Sequence, residues 1–294
     1  MMIAGGFFMS LNDLLLKDLT TFYPLGELIV LRAVALLLLI FGFMAFGKCI
    51  REITDVTWTH QVGRGIVNAV AMILFVIGLK HLHLNDAVVL GMTGPLFLIG
   101  ISAVLGEVVS ATRIMAGILG FIGVTLIIGP SMAFDGWFFL FPLGAAFLEG
   151  LREIMTRRLP SRDSLLATLF HTTWIIAAAG LLFENPSHWT ALAPTHATAL
   201  LGCTVLLGVS QYLMIAAFRS GEASSIAPFR YVIVLWATLF SIVFFDHLPN
   251  IAALVGSALV IVAGAVALRT GKFGSELVGE KISCLSFSSP SQRR

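Results

Sequence analysis

One stretch decides the fold: residues 222–245, with the sequence EASSIAPFRYVIVLWATLFSIVFF. It is apolar and long enough to cross a bilayer, which takes about 20 helical residues. It nevertheless carries Pro228 and Arg230 near its start. A charge in the hydrocarbon core costs at least ~2.5 kcal/mol, and a proline leaves a backbone carbonyl unbonded, so both residues need polar surroundings. We therefore predict that this segment faces a cavity inside a bundle of spanning helices.

The composition indicates a membrane protein along the whole chain. Of the 294 residues, 58% are hydrophobic and 12% are charged, whereas a soluble domain carries about 25% charged residues. We predict an all-α integral membrane protein that contacts the lipid bilayer. The net charge of +2 comes from residues scattered between apolar runs rather than from one patch. No nucleic-acid partner is therefore expected.

The apolar runs predict ten spans, separated by proline- and glycine-containing breakers. The predicted spans are Ile3–Thr21, Glu27–Phe46, Gly63–Lys80, Ala87–Leu105, Arg113–Gly129, Gly136–Met155, Leu165–Phe183, Thr198–Phe218, Ser225–Phe245 and Ile251–Leu268. The polar, serine-rich tail, residues 271–294, is predicted to be disordered. Met1–Phe8 contains no basic residue, so we expect no cleaved signal peptide.

The positions of lysine and arginine predict the orientation, because cytoplasmic loops are enriched in them. With the N-terminus inside, most of the eighteen fall in predicted cytoplasmic segments. These are Lys48, Arg51, Arg64, Arg113, Arg152, Arg157, Arg158, Arg162, Arg219, Arg269, Lys272, Lys281, Arg293 and Arg294. The segments around Asp135, Glu184–His196 and Asp246–Asn250 contain no lysine or arginine. We predict that both termini are cytoplasmic.

A weak internal repeat relates residues that are 136 apart. It pairs Asp13 with Glu149, Pro24 with Pro160, Glu27 with Asp163, and Asp86 with Glu222. The repeat divides the chain into a first half, residues 1–130, and a second half, residues 131–270. Each half has five predicted spans, and because five is odd the second half must lie upside down in the membrane. Inverted repeats of this kind are typical of secondary transporters, whose binding sites lie between the repeats.

Short motifs along nearly the whole chain resemble the EamA-type carriers of the drug/metabolite transporter superfamily. The motifs are Leu31-Arg32-Ala33, Gly78-Leu79-Lys80-His81-Leu82, Pro95-Leu96-Phe97, Leu105-Gly106-Glu107 and Gly120-Phe121-Ile122-Gly123-Val124. The segment Ala227-Pro228-Phe229-Arg230-Tyr231 resembles a bacterial branch that includes carriers of S-adenosylmethionine and riboflavin. The chain departs from the pattern at Phe245–Pro249, where the second repeat usually has Gly-Glu-x-Pro.

This resemblance implies ten helices in two inverted five-helix repeats, located in the bacterial inner membrane. It also implies a central cavity lined mainly by spans one, three, four, six, eight and nine. No catalytic residues and no cofactor are expected. The chain also lacks the GxxxxGK[ST] loop that binds nucleotide phosphates.

Two carboxylates are the leading candidates for substrate binding. Asp13, beside Asn12, lies about thirteen residues into the first span, and Glu149 lies at the equivalent depth in the sixth. Helical spacing allows Glu149 to meet Arg152 or Glu153, and allows Asp13 to meet Lys17. One interpretation is a cluster near the midplane that binds the substrate or a coupled proton. The alternative is a set of ion pairs that only fixes helix packing.

Arg230 is open to two interpretations. In the first, it faces inward and either pairs with Glu149 or Glu153 or binds an anionic group of the substrate. In the second, its side chain extends to the membrane interface as an anchor. Arg32 is interpreted as structural. The other candidate substrate contacts are polar or aromatic residues in apolar spans: Asn68, Pro95, Gln211, Tyr212, Tyr231 and Trp236. Helix packing is the competing role for each of them. The histidines and cysteines have no metal-ligand spacing, so no metal site is predicted.

The leading functional interpretation is a secondary carrier, a monomer or homodimer, that moves a zwitterionic or ring-bearing metabolite by alternating access. S-adenosylmethionine, riboflavin and amino-acid- or nucleoside-like solutes are examples. An intramembrane enzyme would require an HExxH motif, a GxS nucleophile or an aspartate dyad on facing helices, and the sequence offers none in register. A non-transporting scaffold or receptor would leave the two midplane carboxylates without a role.

Overall fold

The computed structural model describes residues 1–20, 22–107, 109–129, 136–183, 189–190, 192–245 and 250–270. Several predictions fall outside the described residues. They concern the breaker at Pro130, the segment 184–188, the departure at Asp246–Pro249 and the tail from Gly271. The side chain of Lys17, the predicted neighbour of Asp13, also lies outside the described part.

The described residues are helical, and they contain no β-strand. The helices are α1 (Met2–Leu19), α2 (Leu25–Phe46), α3 (Arg51–Thr54), α4 (Trp58–His81), α5 (Leu84–Gly91), α6 (Gly94–Val104), α7 (Ala111–Ile128), α8 (Leu140–Arg157), α9 (Leu165–Phe183), α10 (Pro194–Ser220), α11 (Ala223–Ile226), α12 (Val232–Phe245) and α13 (Ile251–Thr270). A 3-10 helix, Ala227–Tyr231, joins α11 to α12.

Seven helical segments of the described chain are long and apolar enough to cross a membrane. They are α2, α4, α5 with α6, α7, α10, α11 through α12, and α13. Large apolar side chains cover their outer surfaces; Leu38, Val243 and Ile261, for example, are more than 60% exposed. An apolar surface of this extent is expected only where lipid covers it. The prediction of an all-α, multi-pass membrane protein is confirmed.

Two of the segments are interrupted where the sequence has proline. The first bends at Met92–Thr93, between α5 and α6, because Pro95 occupies the first turn of α6 and cannot donate a hydrogen bond to the preceding turn. The second tightens into the 3-10 helix that contains Pro228. Each interruption therefore lies next to a proline, which lacks the N–H donor that a continuous helix requires.

Some predicted bounds are wrong by several residues. The sixth predicted span corresponds to α8, which begins at Leu140 rather than at Gly136. Gly136 has a φ of 66°, and the residues after it form turns. The third predicted span corresponds to α4, which begins at Trp58 rather than at Gly63. Polar residues that were predicted to lie in a loop therefore belong to this helix. The eighth predicted span corresponds to α10, which begins at Pro194 rather than at Thr198. Proline is favourable in the first turn of a helix.

The closest helix pair, α7 with α13, is packed through glycine. A Cβ atom added to Gly123 would lie 2.6 Å from the carbonyl oxygen of Gly256, and one added to Gly256 would meet the carbonyl oxygen of Gly123. Only glycine allows the backbones to approach this closely. Gly123 and Gly256 therefore serve close helix packing. The other extensive pairs are α1 with α10, α4 with α8, and α2 with α9.

Candidate functional site

A cavity of about 570 Å³ lies in the interior of the helix bundle. Its walls come from α1, α2, α4, α5, α8, α9, α10, the 3-10 helix and α12. Apolar side chains such as Met72, Phe75 and Ile233 form much of the lining, and the charged groups are clustered. The cavity therefore has the apolar walls and few convergent polar groups that are typical of a small-molecule site.

The cavity brings together most of the predicted site residues. Those that line it are Asn12, Asp13, Asn68, Glu149, Arg152, Gln211 and Arg230. They come from five different elements and from both halves of the chain, so only the folded bundle assembles them. Four other candidates are not among the lining residues: Pro95, Tyr212, Tyr231 and Trp236.

Those four residues make packing contacts. Tyr231 is fully buried, and its ring lies against Gly120. The indole Nε1 of Trp236 donates to the carbonyl of Ile3 at 3.2 Å. Pro95 is buried at the start of α6, and Tyr212 packs on the apolar cluster that contains Leu36. Each fixes one helix against another next to the cavity.

On α8, Glu149 is held by an ion pair from another element. Arg230 on the 3-10 helix donates to Glu149 at 3.1 Å, and its other terminal nitrogen lies 3.7 Å from Glu153. Of the alternatives considered for Arg230, the structure shows the ion pair, and it involves both acids rather than one. Arg230 is not an interfacial anchor, because only 15% of its side chain is exposed.

Arg152 completes the network around α8. It forms an ion pair with Glu153, and it donates to Asn68 Oδ1 on α4 at 2.7 Å. The assignment of Arg152 to a cytoplasmic segment is wrong, since the side chain points into the cavity between α4 and α8. This network links the two halves through charge-assisted hydrogen bonds, which are stronger than neutral ones.

On α1, Asp13 belongs to a second polar group. Asn12, 1% exposed, donates from Nδ2 to Asp13 Oδ1 at 2.8 Å and accepts from Arg32 on α2 at 2.7 Å. Asp13 itself is exposed to the cavity. Arg32 also lines the cavity, so its interpretation as purely structural missed a possible ligand contact.

Arg64 is the second residue that sequence analysis missed. It was assigned to a cytoplasmic segment, and this is wrong: Arg64 lies in α4, is 2% exposed and lines the cavity. It donates to Thr156 Oγ1 at 2.6 Å and to Thr172 Oγ1. A signal was available, because Thr57, Gln61, Arg64 and Asn68 recur every three or four residues. Such spacing marks one polar face of a helix.

The described residues contain no cluster of His, Cys, Asp or Glu that could hold a metal ion. The arrangement that they do form combines fixed arginines, carboxylates and apolar walls. It is suited to binding an organic molecule that has both charged and apolar parts.

Comparison with known proteins gives the relationships of the chain. Residues 1–129 match the model of the EamA-like transporter family. A riboflavin transporter of Rhizobium johnstonii is 29% identical over 224 residues, which cover 74% of this chain and 72% of that protein. The S-adenosylmethionine uptake transporter of Rickettsia bellii is 25% identical over 260 residues, which cover 86% of this chain and 87% of that transporter. These matches confirm the resemblance to EamA-type carriers.

Two further similarities cover nearly the whole chain. The pseudopaline exporter CntI of Pseudomonas aeruginosa is 22% identical over 277 residues, which are 92% of this chain and 95% of that protein. A solved crystal structure matches with a TM-score of 0.71 at 18% identity, covering 90% of this chain and 94% of its own. At this identity the structural match establishes the fold alone.

Proposed function

We propose that this relative of the EamA-like transporters is a secondary carrier that moves a small organic metabolite across the bacterial inner membrane by alternating access. The observation that carries the proposal is the cavity, whose charged residues come from both halves of the chain and whose walls are otherwise apolar. A site built between two halves changes its exposure when the halves move relative to each other.

The pattern of helix contacts supports two inverted repeats. Under the repeat, α1 corresponds to α8, α2 to α9, α4 to α10, and α7 to α13. The contact of α1 with α10 then has its counterpart in the contact of α8 with α4. Exchanging the two halves turns the contact of α2 with α9 into the same contact, and the same holds for the contact of α7 with α13. This reciprocity is what a two-fold axis between the halves produces.

The glycines of α7 and α13 agree with this symmetry. Gly123 and Gly256 are 133 apart, as are Pro95 and Pro228, which matches the 136-residue offset after a small insertion. Gly123 and Gly256 also contact each other's backbone. A residue that contacts its own counterpart lies next to the symmetry axis. We therefore place the axis at this contact.

Ten spans in two repeats follow if three helices are added to the seven. Helices α1 and α9 contain shorter apolar stretches, Met2–Leu16 and Leu165–Leu181. The third helix to be added is α8. Its charged residues Glu149, Arg152 and Glu153 lower its mean hydropathy, although Glu149 and Arg152 line the cavity rather than face lipid. The proposed units are the repeats 1–130 and 131–270 and the cytoplasmic tail 271–294, and the family match over residues 1–129 supports the first boundary.

The orientation is proposed from the remaining basic residues. Removing Arg64 and Arg152 from the cytoplasmic set leaves twelve of the eighteen lysines and arginines on that side. The excess still predicts cytoplasmic termini.

The carboxylates of Glu27 and Asp163 each form hydrogen bonds with the other half of the chain. Glu27, at the start of α2, accepts from the backbone N–H of Thr190 at 3.1 Å. Asp163, before α9, accepts from the backbone N–H of Thr57 at 3.1 Å and from Gln61 Nε2 at 2.9 Å. Glu27 and Asp163 are 136 apart, so each repeat supplies the same kind of bond at one end. We propose that these bonds form and break as the carrier alternates.

Transport by purified protein in liposomes tests the proposal. Proteoliposomes loaded with an unlabelled solute should accumulate the same labelled solute by exchange, with riboflavin, S-adenosylmethionine and a mixture of amino acids and peptides as the first panel. Protein-free liposomes and the variant Glu149→Gln are the controls. Specific binding without exchange would favour a receptor or scaffold, and conversion of the solute would favour an enzyme; either result would reject the carrier.

A further inference from the structure

The charges in the cavity do not balance within the described part of the chain. Four arginines line it, namely Arg32, Arg64, Arg152 and Arg230. The carboxylates beside them are Asp13 and Glu149, which line the cavity, and Glu153, which pairs with two of the arginines. The cavity thus carries an excess of one positive charge.

The excess is located on particular residues. Arg152 and Arg230 form ion pairs with Glu153 and Glu149. Among the described residues, Arg32 and Arg64 have no carboxylate within 4.0 Å. Arg64 donates to two neutral threonine hydroxyls, and Arg32 donates to the neutral amide of Asn12.

These two arginines are buried and lie on the cavity wall. Arg64 is 2% exposed and Arg32 is 9% exposed, and both are among the residues that line the cavity. An arginine in the membrane interior is costly unless an anion or water in a cavity compensates its charge. Arginine also binds carboxylates through two parallel hydrogen bonds, which gives it geometric selectivity for them.

Building on the proposed function, we infer that the transported molecule is an organic anion with at least two carboxylates and one ammonium group. Arg64 and Arg32 each bind a carboxylate, and Asp13, which lines the same cavity, faces the ammonium group. The apolar walls contact its carbon skeleton. This substrate class excludes solutes with a net positive charge, and it narrows the range of metabolites that the resemblance implies.

The inference is tested by binding to the purified, full-length protein. Three dipeptides of similar size serve as probes: Glu-Glu, Gln-Gln and Lys-Lys. Their side chains differ in charge, while each has one amino terminus and one carboxyl terminus. We expect Glu-Glu to bind about tenfold or more tightly than Gln-Gln, since a hydrogen bond to a charged group contributes about 1.5–3 kcal/mol. Thermal shift and titration calorimetry both report this preference.

Variants assign the preference to the two arginines. Arg64→Gln and Arg32→Gln should each reduce the preference for Glu-Glu about tenfold, and Arg64→Lys should retain part of it. Arg51→Gln is the matched control, because it also removes one positive charge but lies on exposed α3, outside the cavity. It should leave the preference unchanged.

The inference is overturned if the wild-type protein binds Glu-Glu no more tightly than Gln-Gln. It is also overturned if none of the probes binds. A preference that survives in both glutamine variants overturns the assignment to Arg32 and Arg64. The proposed function fails separately: selective binding of Glu-Glu without exchange in proteoliposomes rejects the carrier but leaves the anion site intact.

Discussion

At the scale of single residues, Asp13 and Glu149 have different surroundings although the proposed repeat would make them equivalent. Glu149 is paired with Arg230, whereas Asp13 is exposed to the cavity and its described hydrogen bond comes from a neutral amide. Removing one acid of an ion pair leaves the arginine uncompensated and destabilises the protein, whereas an acid without an ion-pair partner that faces a cavity is available to a ligand. The two carboxylates should therefore respond differently to neutralisation.

We expect Asp13→Asn to reduce transport strongly, about tenfold or more, while it leaves the melting temperature nearly unchanged. The amide keeps the size and the polarity of the side chain, but it removes the charge that faces the cavity. Exchange in proteoliposomes and a melting curve of the same preparation measure the two effects. Transport at the wild-type rate would mean that Asp13 contacts neither the substrate nor a coupled proton.

We expect Glu149→Gln to lower both transport and stability. The substitution removes the closer of the two acids from Arg230 and leaves this arginine less well compensated. Breaking a fully buried ion pair costs about 3–5 kcal/mol, and the loss is smaller here because 35% of the Glu149 side chain is exposed. Glu153, at 3.7 Å, limits the loss. The double variant with Arg230→Met is the control, since it removes the unpaired charge and should recover stability but not transport. An unchanged melting temperature in Glu149→Gln would contradict this role.

At the scale of helices, the α7–α13 contact depends on glycine. Gly123→Ala places a Cβ atom against the carbonyl of Gly256, and overpacking of this kind costs about 1–3 kcal/mol. Gly42→Ala is the matched control, because a Cβ there meets nothing within 4 Å. We expect Gly123→Ala to lower the melting temperature and Gly42→Ala to leave it equal or slightly higher. The opposite order would show that the helices separate easily.

Helix existence was predictable because each span needs a long apolar run, and the interruption at Pro228 followed from the missing N–H donor. The partners of the charged residues were less predictable. Arg64 was counted with the cytoplasmic residues because it is the second residue of the predicted span, which starts at Gly63, whereas α4 starts five residues earlier, at Trp58. Arg230 was expected to meet Glu149 or Glu153, but only packing decides that it meets both. Local sequence limits which residues share a helix face, while tertiary contacts choose their partners.

At the scale of the whole molecule, the bonds of Glu27 and Asp163 should control which side of the cavity is open. A cysteine at Met72, which lines the cavity, reports access to impermeant thiol reagents in a background without the native cysteines. We expect Glu27→Gln to speed labelling from the outside, and Asp163→Asn to speed it from the cytoplasmic side. The change should be about tenfold if each bond contributes about 1.5 kcal/mol. Equal effects on both sides would reject the assignment of one bond to each end.

The pairing of α1 with α10, α4 with α8, α2 with α9 and α7 with α13 has a consequence for folding. Each of these extensive contacts joins one half of the chain to the other, so neither half has a core of its own. We therefore expect the two halves of the chain to behave like the subunits of an obligate dimer, in which a separate folded monomer is not stable. Heating should therefore unfold the protein in a single cooperative transition, and a ligand bound in the cavity should raise the stability of both halves together.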